Sequence, residues 1–212
     1  MPHKYTSPHV EAGRLALRGT PTPILPAGPY RLIVADPAWS FSLRDSDTTH
    51  RGRCGYPAMS PEEIKAMPVS EVAAAEAYLL LWFTKQHTEL AYEVARAWGF
   101  IPKNFHTWEK VSKAGLPRIM LGHYGRNCEE HYLIATRGKV GSWTHLGLTD
   151  VPSLFRATVP KTHSRKPERF WARANRLKQA IAQKHGDCPS IELFSRQYRS
   201  DWDTWGKEAI AA

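Results

Sequence analysis

The segment Leu32–Trp39 constrains the fold of this chain most strongly. It begins with an uninterrupted apolar run, which is typical of a strand buried on both faces of a parallel sheet. The run ends at Asp36-Pro37 because proline cannot donate to a strand ladder and keeps the preceding residue extended. Ligands of open α/β sheets bind beyond the carboxyl ends of the strands. We therefore expect Asp36 and Trp39 to lie at the mouth of a site.

The rest of the chain has the pattern of a single α/β domain. Its 212 residues are enough for one well-packed core. Apolar strand segments alternate with helical ones, which predicts a mostly parallel sheet flanked by helices. The predicted strands are 31–36, 77–84, 100–110, 130–137 and 190–194, the predicted helices are 87–98 and 167–184, and residues 139–163 are expected to be mostly loop. Six prolines within residues 1–29 indicate an irregular N-terminal arm ahead of a domain spanning 30–208.

Charge and cysteine content narrow the range of partners. The formal net charge of +9 suits a polyanion such as nucleic acid, although many basic proteins bind none. Cys54, Cys128 and Cys188 lie far apart without a C-x-x-C pair, so neither disulfides nor a metal site are expected. No apolar run approaches the length of a membrane span, and the N-terminus lacks the apolar core of a signal peptide. We therefore expect a cytoplasmic protein without membrane association.

Asp36, Pro37 and Trp39 offer groups that suit the exocyclic amine of a nucleobase. The amine of adenine or cytosine is a poor nucleophile because its lone pair is delocalised into the ring. A carboxylate and a neighbouring backbone carbonyl that accept hydrogen bonds from the amine localise that lone pair. An aromatic ring provides a stacking surface, worth about 1–3 kcal/mol per base. The same residues are also compatible with a plain strand-ending turn that has Trp39 in the core.

Further motifs follow in one order along residues 30–207. After Asp36-Pro37-Ala38-Trp39 they are Tyr56-Pro57-Ala58-Met59-Ser60, Leu80-Leu81-Trp82-Phe83-Thr84, Trp108-Glu109-Lys110, Gly122-His123-Tyr124 with Asn127 through His131, Arg137-Gly138, Ser164-Arg165-Lys166-Pro167, Ile191-Glu192-Leu193-Phe194 and Trp202-Asp203-Thr204-Trp205-Gly206. Together they resemble the N6-adenine methyltransferases that carry an Asp-Pro-Pro-Trp signature. That family includes the catalytic subunit of the eukaryotic messenger-RNA methyltransferase and many small phage and bacterial DNA methyltransferases. The resemblance implies a Rossmann-like, circularly permuted, S-adenosylmethionine-dependent methyltransferase fold, with the catalytic strand first and the cofactor strand last.

The resemblance also implies roles for individual residues. The implied catalytic residues are Asp36, Pro37, Trp39 and Tyr56. The implied S-adenosylmethionine contacts are Asp36, Asn127, Lys166, Glu192, Leu193, Phe194, Arg196 and Tyr198. Among these, Lys166 is expected to neutralise the cofactor carboxylate and Glu192 to accept from the ribose hydroxyls. The candidate phosphate contacts, all on predicted loops, are Arg44, Arg51, Arg53, Lys113 and Arg118. No metal is expected to take part.

Ala38 departs from the family signature, which has a second proline at this position. A following proline restricts the residue before it, so the Pro37 carbonyl is less rigidly aimed here and slower transfer is expected. The expected activity is direct methyl transfer to adenine N6 in DNA, in the cytoplasm of a bacterium or a phage-infected host. The residues leave open the same chemistry on RNA adenine or on cytosine N4. A nucleic-acid-binding subunit that has lost catalysis, and a homodimer, are also left open.

Overall fold

The chain forms one seven-stranded sheet with helices on both faces. A computed structural model describes residues 25–40, 59–122, 124–160, 165–195 and 197–206. The strands are β1 (Tyr30–Ala35), β2 (Ala73–Phe83), β3 (Ile101–Val111), β4 (Glu129–Arg137), β5 (Leu154–Thr158), β6 (Ser190–Leu193) and β7 (Asp203–Trp205). The helices in these ranges are α1 (Pro61–Lys65), α2 (Val69–Val72), α3 (Thr88–Ala97) and α4 (Glu168–His185), with a 3-10 turn at Lys85–His87.

The strand order of the sheet is β5-β3-β4-β2-β1-β6-β7. Strand β1 lies near its centre, parallel to β2 on one side and to β6 on the other. Strand β4 runs antiparallel to both of its neighbours, β2 and β3, whereas the outer pairs β3–β5 and β6–β7 are parallel. The prediction of a mostly parallel sheet flanked by helices is confirmed. The first strand and the Glu-Leu-Phe strand are neighbours, with Val34 opposite Glu192.

Alternating side chains of the sheet enter two separate cores. On one face Ile33, Leu79 and Leu133 pack with residues of α3 such as Val94. On the other face the sheet residues pack against α4, whose buried stripe contains Phe170, Trp171, Ala174, Leu177 and Ile181. Helix α4 ends at Gly186, which adopts φ 87°, a left-handed conformation that glycine tolerates without a steric penalty. The resulting three layers place α4 against the sheet face that carries Leu32 and Val34 of β1.

Two strands were not predicted by the sequence pattern. The expected loop over 139–163 contains β5, in which Phe155 is buried between exposed Leu154 and Arg156. Five residues of alternation are too short a signal, and β5 exists because it pairs with β3 far away in sequence. Strand β7 is likewise a three-residue edge paired with β6.

One residue of the predicted N-terminal arm packs into the domain. Leu25 is buried in the same core as Tyr30 at the start of β1, whereas residues 27–29 are exposed. Residues 1–24 lie outside the described ranges, and the division at residues 29 and 30 stays a prediction. None of the helices in the described ranges combines the length and apolar character that a membrane crossing requires.

Candidate active site

A narrow cleft opens at the carboxyl ends of β1 and β6, with a free interior of about 20 Å³. A bound cofactor would therefore require the side chains that line the cleft to move apart. Its walls contain Val34, Asp36, Trp82, Arg165, Lys166, Trp171, Glu192, Phe194 and Gln197. Four residues predicted from the sequence therefore meet in one place, namely Asp36, Lys166, Glu192 and Phe194.

Strand register explains how these side chains come together. Asp36 directly follows β1 and Phe194 directly follows β6, and the two strands are parallel and adjacent. Glu192 lies opposite Val34 and shares the sheet face that α4 covers. Leu193, predicted to bind the cofactor, points to the opposite core and is fully buried, while its carbonyl accepts from the Asp36 amide at 3.5 Å.

A chain of four alternating charges borders the cleft. Lys166 Nζ lies 2.9 Å from Asp36 Oδ2 and 3.0 Å from Glu130 Oε2. Lys110 Nζ lies 2.5 Å from the other oxygen of Glu130, Oε1. The Lys166 ammonium is also 4.7 Å from the centre of the Trp82 ring, a cation–π distance. Lys166 is thus held between two carboxylates against an aromatic face, while its predicted role toward the cofactor carboxylate stays a prediction.

The four charges stabilise one another despite their burial. Burial alone would raise the pKa of Glu130, but Lys166 and Lys110 outweigh it and lower that pKa to about 2. Burial likewise opposes the charge on Lys166, and Asp36 and Glu130 reverse this and raise the pKa of Lys166 above its ordinary value. Glu130 and Lys166 therefore carry full and opposite charges at neutral pH.

Glu130 and Lys110 have no role in the sequence prediction. Lys110 lies near the end of β3, and Glu130 near the start of β4. Because β4 runs antiparallel to β2 and β3, its first residues lie at the edge where β2 and β3 end. The usable signal was the pair Glu129-Glu130 ahead of an apolar strand, but the direction of that strand is not readable from local pattern.

Glu192 and Phe194 form the opposite wall. Glu192 Oε2 is buried and has no hydrogen-bond partner within the ranges that the structure describes. Burial raises the pKa of Glu192 to about 7, and the Asp36 carboxylate adds to this rise. Phe194 adopts φ 63° and packs edge-on against Trp205, with ring centres 5.5 Å apart. A buried carboxylate beside an aromatic ring at the wall of a cleft fits the hydroxyls and base of a nucleoside ligand.

Trp39 is more deeply buried than expected for an aromatic ring that stacks on a base at the mouth of a cleft. It is 5% exposed, its Nε1 donates to the Trp82 carbonyl at 3.0 Å, and its ring stacks on His87 at 5.4 Å. The Pro37 carbonyl accepts from the Trp39 amide at 2.8 Å, and the Ala38 carbonyl from the Met59 amide at 2.9 Å. Base stacking by Trp39 and amine binding by the Pro37 carbonyl stay predictions.

Other predicted site residues lie outside the cleft. Asn127 Oδ1 is buried and lacks a hydrogen-bond partner among the residues described, but Asn127 does not line the cleft. Tyr198 is 67% exposed and borders a second cleft with Trp202 and Asp203. Lys113 and Arg118 are exposed on the segment between β3 and β4. The remaining predicted residues, Arg44, Arg51, Arg53, Tyr56 and Arg196, lie outside the described ranges. Within those ranges, no group of three or more histidine, cysteine or acidic side chains is placed to hold a metal.

Curated proteins of three kinds are similar to this chain. The type II methyltransferase M.MunI of Mycoplasma sp is 25% identical over 203 residues, covering 88% of this chain and 80% of that protein. The mouse N(6)-adenine-specific methyltransferase METTL4 is 26% identical over 225 residues, covering 99% of this chain and 44% of that protein. The N6-methyladenosine RNA methyltransferase MTA1 of Cryphonectria parasitica is 25% identical over 190 residues, covering 85% and 52%. This chain thus spans about half the length of METTL4 and MTA1, but most of M.MunI.

A family model matches most of the chain and agrees with the resemblance carried by the motifs. The model described as MT-A70 matches residues 30–208, which contain the complete sheet and the cleft. The resemblance to N6-adenine methyltransferases that the sequence motifs indicated is therefore confirmed. The chain belongs to the MT-A70 family.

Proposed function

We propose that this protein transfers the methyl group of S-adenosylmethionine to the N6 amine of adenine in DNA. The observation that carries the proposal is the meeting of Asp36, Glu192 and Phe194 in one cleft. In this cleft the Asp36 carboxylate suits an amine, and the Glu192 carboxylate and the Phe194 ring suit a nucleoside. DNA is placed first because the motifs resemble small phage and bacterial DNA methyltransferases, and because the chain covers 80% of the type II methyltransferase M.MunI.

The cleft residues fit the cofactor in a specific way. S-adenosylmethionine, when bound, supplies a methyl group activated by a sulfonium. Glu192, whose side chain lines the cleft, accepts from the ribose hydroxyls through its carboxylate. Phe194 borders the cofactor adenine, and Leu193 supports it from the buried side of β6. Arg165, which also lines the cleft, donates to the side-chain oxygen of Gln197.

Asp36 acts on adenine, the methyl acceptor. Its carboxylate accepts a hydrogen bond from the adenine amine, which localises the nitrogen lone pair toward the incoming methyl carbon. The proton that N6 loses on methylation would pass to the Asp36 carboxylate or through it to water. Lys166 holds Asp36 in place throughout, because it is itself fixed by Glu130. In duplex DNA the target base must first be flipped out, at a cost of a few kcal/mol that binding contacts offset.

Methyl transfer followed by nucleoside mass spectrometry tests this proposal. Isotope-labelled S-adenosylmethionine is offered with mixed-sequence duplex DNA, single-stranded DNA or RNA. We expect N6-methyladenine in DNA, reduced at least about 100-fold in Asp36→Asn, because the variant removes a group that acts in the transition state. Asp150→Asn, which removes an exposed carboxylate paired with Arg176, is the matched control and should keep full activity. A folded wild-type protein that methylates none of the three acceptors would overturn the proposal.

RNA adenine is the second candidate acceptor. It is favoured by the similarity to MTA1, whose name states an RNA substrate. The RNA arm of the same experiment separates the two candidates, because N6-methyladenosine in RNA without N6-methyladenine in DNA would replace the first proposal by the second.

A further inference from the structure

Arg199 is fixed behind the Glu192 wall of the cleft by contacts with α4. Its guanidinium carbon lies 3.6 Å from the centre of the Trp171 ring on that helix. The Arg199 carbonyl accepts from the Trp202 amide at 3.1 Å, and Trp202 Nε1 donates to Asn175 of the helix at 2.9 Å. Trp171 lines the cleft, whereas Arg199 is absent from its walls. Arg199 is therefore placed to act on the cleft through another residue rather than by touching a ligand.

The partner that Arg199 faces is Glu192. Arg199 Nε lies 3.5 Å from Glu192 Oε2, close enough for an ion pair, and the two side chains are 17% and 14% exposed. Among the described residues neither atom has a hydrogen-bond partner, and the same is true of Arg199 Nη2. Buried charged atoms without hydrogen bonds cost free energy. The Arg199–Glu192 pair therefore contributes little to the free energy of unfolding. We infer that its role concerns the cleft instead.

The charges around Glu192 make its protonation depend on Arg199. Burial and the nearby Asp36 carboxylate raise the pKa of Glu192 to about 7, against the opposing effects of Arg199, the Ser195 side chain and Lys166. Lys166 is already held by two other carboxylates, those of Asp36 and Glu130. Arg199 in turn interacts with Glu168 and Arg165 as well as with Glu192. Arg199 is therefore the cation whose removal changes the charge of Glu192 most directly.

The charge of Glu192 matters for a diol ligand. An ionised carboxylate accepts from both hydroxyls of a ribose, whereas a protonated carboxyl has one oxygen occupied by its own proton. We propose that Arg199 is a positioning residue that favours the carboxylate form of Glu192 and holds that side chain oriented toward the cofactor ribose. The ligand in this inference rests on the proposed function, while the coupling of Arg199 to Glu192 is a property of the free protein.

Carbon-13 NMR of the free protein tests the coupling. The carboxyl carbons of glutamate are labelled, and the Glu192 signal is assigned by its absence in Glu192→Gln. In Arg199→Gln the titration midpoint of Glu192 should rise by about one pH unit, a tenfold change in proton affinity, whereas Arg199→Lys should stay near wild type. Arg176→Gln removes an exposed arginine of α4 and is the matched control. An unchanged midpoint in Arg199→Gln overturns the proposal.

Calorimetric binding of S-adenosylmethionine between pH 6 and 9 tests the consequence. Arg199→Gln should bind about fivefold more weakly than wild type at pH 7 and recover at pH 9, with Arg199→Lys within about twofold at every pH. A loss of equal size at all pH values, in both variants, would show that Arg199 serves only as packing for Trp171 and overturns the proposal. A wild-type protein that shows the NMR coupling but binds no S-adenosylmethionine would instead overturn the proposed function.

Discussion

The Lys166 ammonium lies 2.9 Å from Oδ2 of Asp36, the carboxylate that we propose to hold the target amine. The same ammonium lies 3.0 Å from Glu130, which is held in turn by Lys110. These contacts tie the end of β1 to the end of β3 and the start of β4. Asp36 therefore has a fixed ionic partner before any ligand arrives, and such preorganisation is what an active-site carboxylate requires.

Replacing Glu130 by glutamine should destabilise the protein strongly. The variant leaves two buried ammonium groups, Lys110 and Lys166, without their shared anion, and breaking a buried pair in this way costs about 3–5 kcal/mol. Urea unfolding measures the loss. Glu93→Gln breaks an exposed pair with Lys65 and should cost less than about 1 kcal/mol. Equal, small losses in both variants would contradict the role given to Glu130.

The same residue should impose an acid dependence on stability. The pKa of Glu130 falls from its ordinary value of 4.5 to about 2 in the folded protein. Below pH 4.5 the Glu130 carboxylate is protonated in the unfolded chain but still ionised in the folded protein. The free energy of unfolding therefore decreases as the pH falls toward 2. We expect the free energy of unfolding to decline less steeply between pH 5 and 3 in Glu130→Gln than in wild type. Parallel curves would contradict this expectation.

The fold class and part of the candidate site can be predicted from local sequence patterns. The other part of the site depends on the direction of one strand, which local patterns do not show. Asp36, Glu192 and Phe194 were placed correctly relative to the sheet because each lies at or beside the end of an apolar strand. Lys110 and Glu130 were given no role because their meeting depends on β4 running antiparallel, which only long-range pairing decides. Short edge strands such as β5 and β7 escaped detection for the same reason.

Glu192→Gln should increase stability while it weakens cofactor binding. The pKa of Glu192 is raised to about 7, so the folded protein binds a proton more readily than the unfolded chain, and wild type loses stability as the pH rises from 4.5 to 7. Glutamine resembles the protonated form and removes this loss, which is worth about 3 kcal/mol at pH 8 and less than about 1 kcal/mol at pH 5. Thermal unfolding at the two pH values, paired with calorimetry of S-adenosylmethionine, measures both effects. A stability gain of equal size at pH 5 and 8 would contradict the assignment.

Gly206→Ala should displace the turn that carries Phe194. A Cβ at this position would lie 2.3 Å from the Ser195 carbonyl oxygen and 2.9 Å from the Phe194 carbonyl carbon, both backbone atoms. The backbone must shift to relieve such contacts, and overpacking of this kind costs about 1–3 kcal/mol. We expect weaker S-adenosylmethionine binding by calorimetry as well as a lower melting temperature. Gly141→Ala, whose Cβ would meet a side-chain atom at 3.2 Å, is the control and should bind normally.

Lys113 and Arg118 should contribute to nucleic-acid affinity through phosphates rather than through base sequence. Both are exposed on the segment 112–127, which contains no acidic residue and joins the two strands that carry Lys110 and Glu130. The Arg118 amide donates to the Lys110 carbonyl at 2.8 Å, so the segment is anchored at the edge of the cleft.

Removing one cation that binds a phosphate should reduce the slope of log affinity against log salt by about 0.9 on duplex DNA. Lys113→Gln and Arg118→Gln are therefore expected to lower the slope singly by about 0.9 and together by about 1.8, with equal decreases in affinity on unrelated duplexes. Fluorescence anisotropy at several salt concentrations measures the slope. Lys139→Gln, which neutralises an exposed lysine that follows β4, serves as the control for removal of a surface charge. A slope unchanged in the double variant would place the nucleic acid elsewhere on the protein.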